Sequence, residues 1–135
     1  MPTPDEEAAQ RLADRAAECK HIQTRSYALL NAVRERATEK RNYNSQTTRD
    51  DLQRLFTEKF GKPAYLWQLD ITESILLGLD SVLIAGTGCG KTMPFMMVLL
   101  LDSRKMILVV SPLIVLQTDQ VRVLFTLIVH LLTYR

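Results

Sequence analysis

Lys91 and Thr92 are the residues best placed to do chemistry. They close the stretch Ser-Val-Leu-Ile-Ala-Gly-Thr-Gly-Cys-Gly-Lys-Thr that runs from Ser81 to Thr92. Gly86, Gly88 and Gly90, with Thr87 and Cys89 between them, open a loop that larger side chains would obstruct. In such a loop, successive backbone N–H groups can point inward at an anion. A following helix adds its unpaired N–H groups and its dipole. A lysine here reaches the β- and γ-phosphates of a nucleotide, and a hydroxyl at the next position ligates Mg²⁺. Gly88, Gly90, Lys91 and Thr92 are four fixed residue types. At roughly one in fifteen per position, chance supplies about one match per fifty thousand windows. The competing reading is a glycine-rich turn that binds nothing, and it has that coincidence against it. The pattern's first glycine falls on Ala85, whose side chain is small enough for the place.

Such a loop must be positioned by a strand before it and a helix after it. Val82 to Ala85 form a short apolar run bounded by turn residues, which predicts a buried strand. Lys91 and Thr92 are predicted to start a helix that continues to about Leu101, with Pro94 in its first turn, where a missing N–H costs little. Asp102 to Lys105 is a polar loop, and Met106 to Val110 is a second apolar run. Two buried strands joined by a crossover helix predict a parallel sheet with covered faces. Ser111 and Pro112 make a cap-plus-first-turn pair for a further helix over Leu113–Val121.

Upstream, residues 5–41 contain neither Gly nor Pro and are rich in Ala, Glu, Arg and Leu. Asp5, Glu6 and Glu7 suit a helix start, and Lys40 and Arg41 suit its end, so one long helix is predicted. Leu12, Ala16, Cys19, Gln23, Ser26, Leu30, Val33 and Ala37 recur at alternating intervals of four and three. This is heptad spacing. The stripe could pack on the neighbouring domain or zip two copies together through residues 5–41. A polar linker follows, then a helix capped by Thr48 and stopped at Gly61, and a third helix over about Leu66 to Leu77. Residues 1–47 therefore read as a helical extension with a linker, and residues 48–135 as a second domain.

The bulk numbers narrow the class. The chain has 135 residues, 47% hydrophobic, with a net charge of +2, which suits one modest core and selects no partner by charge alone. Residues 1–60 hold 11 of the 17 Lys/Arg and 10 of the 15 Asp/Glu, so the first part is charged but balanced and the remainder apolar. Two cysteines far apart give neither a metal spacing nor a disulfide framework. The start is acidic and lacks an apolar core, unlike a signal peptide. The apolar runs fall short of the roughly 20 residues a membrane span needs. The expectation is an intracellular protein that does not enter membranes.

Several short stretches agree with one family. Ala85 to Thr92 resembles the nucleotide-binding motif of helicases with DEAD/DEAH-type cores. Ser111-Pro112-Leu113-Ile114, with Leu116 and Asp119-Gln120-Val121 following, resembles the next motif of RecQ-like DNA helicases, and Gln68 falls where that family places its adenine-recognising glutamine. The resemblance covers roughly residues 50–121. It implies an α/β fold, an incomplete RecA-like parallel sheet carrying the N-terminal helical extension. It also implies ATP and Mg²⁺ as cofactors, held by Gln68, Gly86, Thr87, Gly88, Cys89, Gly90, Lys91 and Thr92, with Thr92 on the metal. A carboxamide has a donor and an acceptor, so Gln68 can pair with adenine N6 and N7 together. Tyr65 or Trp67 could stack on the base. Ser111 and Pro112, with Gln117 as a further contact, would meet the nucleic-acid backbone. The partner implied is single-stranded or duplex DNA, or RNA, and the location is nuclear if the source is eukaryotic.

The family's acidic Mg²⁺/water motif and its second motor lobe do not occur in this sequence. The chain thus reads as the N-terminal part of a RecQ-like, ATP-dependent 3′–5′ DNA helicase that binds nucleotide without useful hydrolysis or unwinding. Two other classes compete. A different P-loop NTPase such as a small kinase leaves Ser111–Val121 without a task. A non-catalytic interaction module built on residues 5–41 leaves the glycine loop without one.

Overall fold

The computed structural model describes residues 3–86, 88–102 and 104–108. The chain divides into two compact units, Met1–Asn44 and Ser45–Arg135.

The first unit is built on one helix, α1 (Pro4–Arg41). Its start is written in a capping box. The Thr3 hydroxyl accepts from the Glu6 N–H at 3.3 Å, and the Glu6 carboxylate accepts from the Thr3 N–H at 2.7 Å. Hydrogen bonding of the Glu6 carboxylate to the Thr3 backbone first, and to its side chain second, holds that carboxyl below its ordinary pKa. Asn42 ends the helix in the left-handed conformation, with its N–H on the Thr38 carbonyl at 3.1 Å. Of the heptad stripe, Leu30 and Ala37 are buried, whereas the positions from Leu12 to Ser26 are exposed.

The second unit is a small helical cluster. Helix α2 (Ser45–Phe60) starts a turn earlier than Thr48 had suggested. It is followed by α3 (Leu66–Leu76) and α4 (Met93–Leu101), and each of the three packs on the other two. Their shared core is Leu52 and Phe56 from α2, Leu69 from α3 and Met97 from α4, with Phe60, Leu76, Met93 and Leu100 around it. Burying each such side chain contributes about 1.5–3 kcal/mol. The Phe56 and Phe60 rings pack in a tilted arrangement, with centroids 4.5 Å apart and planes at 42°. Beside this core Arg49 of α2 reaches α3, donating to Asp70 at 2.7 Å and to the fully buried Glu73 at 3.1 Å. The Ser45 hydroxyl also bonds Glu73. Burial works against the charged guanidinium, but its hydrogen bonds to Asp70 and Glu73 outweigh that and leave the Arg49 pKa raised. At the end of α3 the chain makes a six-to-one and five-to-two closure. Leu79 N–H donates to Ser74 O at 2.9 Å and Gly78 N–H to Ile75 O at 3.1 Å.

The predicted parallel sheet is overturned. Among the described residues there are four helices and no strand, so no RecA-like sheet core is present there. Val82 to Ala85, and Met106 to Leu108 of the second predicted strand, carry no ladder; Val109 and Val110 lie outside the described residues. The side chains say the same. Val82 is 89% exposed, Ile84 94%, Met106 94% and Leu108 87%. A strand exists through hydrogen bonds to a neighbour and burial of its faces, and an apolar run supplies only the means for the second. The helix predicted over Leu113–Val121 and the apolar stretch after it lie outside the described residues. No helix among the described residues is long and apolar enough to cross a membrane.

Candidate functional site

The loop from Gly86 to Thr92 runs into α4 and stays open to solvent through most of its length. Gly86, Gly88, Cys89 and Lys91 are exposed, and Gly90 and Thr92 are half-buried. Gly88 and Gly90 have φ of +82° and +76°. An L-residue in that region costs about 1–2 kcal/mol, which is why glycine stands at both places. Cys89 N–H donates to Gly86 O at 3.4 Å, closing a tight turn. Gly90 O accepts from Met93 N–H at 3.0 Å, which joins the loop to the first turn of α4.

α4 begins at Met93, with Thr92 as its N-cap in a helical conformation and Pro94 in the first turn. The predicted start at Lys91 thus moves by two residues. The Thr92 hydroxyl makes no cap hydrogen bond. The Lys91 ammonium is turned back across the loop and donates to the Ala85 carbonyl at 2.8 Å. A single hydrogen bond to an exposed carbonyl is a modest hold, on the order of 1–2 kcal/mol. A polyphosphate would compete for that ammonium with several charged oxygens.

Gln68 enters this site from α3 and is only 3% exposed. Its Oε1 accepts from the Tyr65 N–H at 3.0 Å, the reciprocal half of a capping box at the start of the helix. Its Nε2 donates to the Gly90 carbonyl at 3.1 Å, 22 residues further along the chain. One turn on, the Thr72 hydroxyl donates to the Gln68 carbonyl at 2.7 Å and lies 3.3 Å from the carbonyl of Pro94 in α4. Tyr65 and Trp67 lie beside the same helix start, their rings nearly parallel with centroids 6.4 Å apart. Tyr65 is exposed.

The structure therefore brings Gln68, Gly90, Lys91 and Thr92 to one place, at the junction of α3, the loop and α4. Thr87, Ser111, Pro112 and Gln117 lie outside the described residues. Sequence reasoning missed the tie from Gln68 to Gly90 and the support from Thr72. Glutamine at the third position of a helix was a signal for the Tyr65 bond, but no signal in the sequence reports a contact between helices.

No curated protein and no solved structure matches the chain. The family model for DEAD/DEAH box helicases matches residues 65–134, more than half of the chain, and spans Gln68, the glycine loop and α4. The chain belongs to the DEAD/DEAH box helicase family.

Proposed function

We propose that the chain binds ATP with Mg²⁺ at the Gly86–Thr92 loop, within a RecQ-like, ATP-dependent 3′–5′ DNA helicase. The observation that carries this reading is the loop itself. It has two left-handed glycines, an exposed lysine held by one carbonyl, and a hydroxyl uncommitted to capping at the head of a helix. These residues fit a triphosphate with its metal. Glycine backbone offers N–H groups without side-chain obstruction, α4 presents the positive end of its dipole, and Lys91 supplies a mobile charge. Thr92 would hold the Mg²⁺ through its hydroxyl, and the metal would supply positive charge to offset that of the phosphates. In this reading Thr87 and Cys89 belong to the nucleotide-binding loop with the glycines. The RecQ-like assignment is supported by Ser111-Pro112-Leu113-Ile114 and Asp119-Gln120-Val121. In this reading Ser111, Pro112 and Gln117 contact a nucleic-acid strand, DNA before RNA.

The test is a titration of the full chain with a fluorescent ATP analogue and Mg²⁺, for the wild type and for Lys91→Ala. Saturable, magnesium-dependent binding that weakens at least tenfold in the variant supports the reading. Equal signals from both proteins refute it. Anisotropy of a labelled single-stranded oligonucleotide, with Ser111→Ala as the comparison, tests the nucleic-acid half.

A further inference from the structure

We propose that the exposed part of α1, residues 8–29, is a docking face for a helix of another protein, one whose apolar seam is flanked by carboxylates.

The face follows from spacing. Leu12, Cys19 and Ser26 take the d positions of a heptad pattern, and Ala16 and Gln23 the a positions. These five are exposed in α1, whereas Leu30 and Ala37 further along the same stripe are buried. Ile22 and Leu29, both at g, widen the seam on one side. Leu12 is 67% exposed, and Ile22 and Leu29 are 55% exposed each. Large apolar side chains gathered on one side of an element mark a contact surface, where the same residues scattered singly would not. Between them Ala16, Cys19 and Ser26 are small, which leaves room for knobs from a partner helix.

Charge selects the occupant. From residue 8 to the end of α1, every charged residue at e or g is a cation: Arg15, Lys20, Arg34, Arg36 and Arg41. Asp14, Glu18, Glu35 and Glu39 stand at c or f, away from the seam. Arg15 and Lys20, which border the exposed part, form no ion pair among the described residues. Charges at e and g set partner choice, attracting one kind of helix and repelling another. A second copy of α1 is the wrong kind. In a parallel pair, g faces the next e of the other helix, so Arg15 meets Lys20 and Arg36 meets Arg41. In an antiparallel pair with Leu12 on Ala37 and Ala16 on Val33, Arg15 meets Arg36. That register also needs Leu30 and Ala37, which are already buried. The overlap centred on the exposed part, with Ala16 on Cys19, sets Leu12 against the amide of Gln23. The complement is instead an amphipathic helix with large aliphatic residues at a and d and Glu or Asp at e and g. It carries a polar group opposite Gln23, since a polar a position fixes register.

The experiment uses the full chain and two labelled peptides of about four heptads, with Leu at a and d and Gln at one a position. One peptide carries Glu at e and g, the other Lys. Fluorescence anisotropy gives the affinities, and sedimentation velocity gives the mass of the chain alone. The expected result is a monomeric chain that binds the Glu peptide about tenfold or more tighter than the Lys peptide, with the difference shrinking at high salt. Arg15→Glu with Lys20→Glu removes the preference. Leu12→Gln with Ile22→Gln weakens binding of the Glu peptide about tenfold or more. Circular dichroism reads the helix content of each variant, and Arg15→Gln with Lys20→Gln takes the place of the charge reversal if that lowers it. Equal affinity for the two peptides, a preference that survives the charge substitutions, or no binding of either peptide overturns the proposal. So does a chain that dimerises and returns to monomer in Leu12→Gln with Ile22→Gln, because the occupant is then a second copy. A single-stranded oligonucleotide that binds through Arg15 and Lys20 while the peptides do not assigns the face to nucleic acid and overturns it as well.

Discussion

Gly90→Ala offers a stability experiment that needs no ligand. The substitution meets two penalties. A residue with a Cβ must adopt φ of +76°, at about 1–2 kcal/mol. The new Cβ would also stand 2.8 Å from Gln68 Nε2. That nitrogen ends a flexible side chain, but the chain is buried and bonded at both ends. Moving it gives up one or two hydrogen bonds at about 1 kcal/mol each. The total is about 2–4 kcal/mol. Gly88→Ala is the internal control. Its φ is +82°, with nothing within 4 Å of the new Cβ, so only the first penalty applies. Urea unfolding followed through Trp67, the single tryptophan, should place Gly90→Ala about 1–2 kcal/mol below Gly88→Ala. In a Gln68→Ala background the nitrogen is gone and the gap between the two glycine variants should close, a coupling read by a double-mutant cycle. Equal costs at the two glycines in the native background, or a gap that persists without the glutamine, would refute the argument.

Other consequences concern the supporting structure. Met97→Ala empties the centre of the three-helix core, where Met97 is fully buried, and should lower stability by about 2–5 kcal/mol in the same unfolding assay. Arg49→Ala leaves the carboxylate of Glu73 buried without its cation. Because the Arg49 side chain keeps some solvent contact, the loss should be about 2–4 kcal/mol, at the lower end of the range for a broken buried pair. In α1, the Glu6 carboxyl is held below its ordinary value of 4.5 in the folded state. Its contribution is therefore fully present above that pH and lost as pH falls through the lowered value. Amide-exchange protection factors in the first turn, taken relative to the intrinsic rate at each pH, should fall in acid, and Thr3→Ala should lower them at neutral pH and remove most of the acid step.

How much of this could be read from the sequence depends on the range of the forces involved. The start and end of α1 are local matters. Acidic residues and Thr3 at one end, Lys40, Arg41 and Asn42 at the other, and the absence of Gly and Pro between them set both boundaries. Gly61 and Gly78 mark the ends of α2 and α3 for the same reason. Family membership was also legible, because the Gly86–Thr92 motif is a matter of residue type and spacing.

The sheet was not legible, and inferring it failed for a physical reason. Val82–Ala85 and Met106–Leu108 have the composition of buried strands, yet a strand is a relation between segments. Here Val82, Ile84, Met106 and Leu108 face solvent and Leu83, Ala85 and Ile107 are half-buried, while α2, α3 and α4 bury their apolar faces on one another. The carboxamide of Gln68 is the same lesson at atomic scale. Its residue type offers a donor and an acceptor and names no partner for either. Only the packing of α3 against α4, which brings a carbonyl 22 residues away to within 3.1 Å, decided which groups it meets. Composition and local spacing determined the helices, their caps and the loop's chemistry, because each depends on neighbours a few residues apart. Tertiary structure alone decided which of the apolar runs would be covered and what the buried amide would hold, because those depend on partners that chain order does not specify.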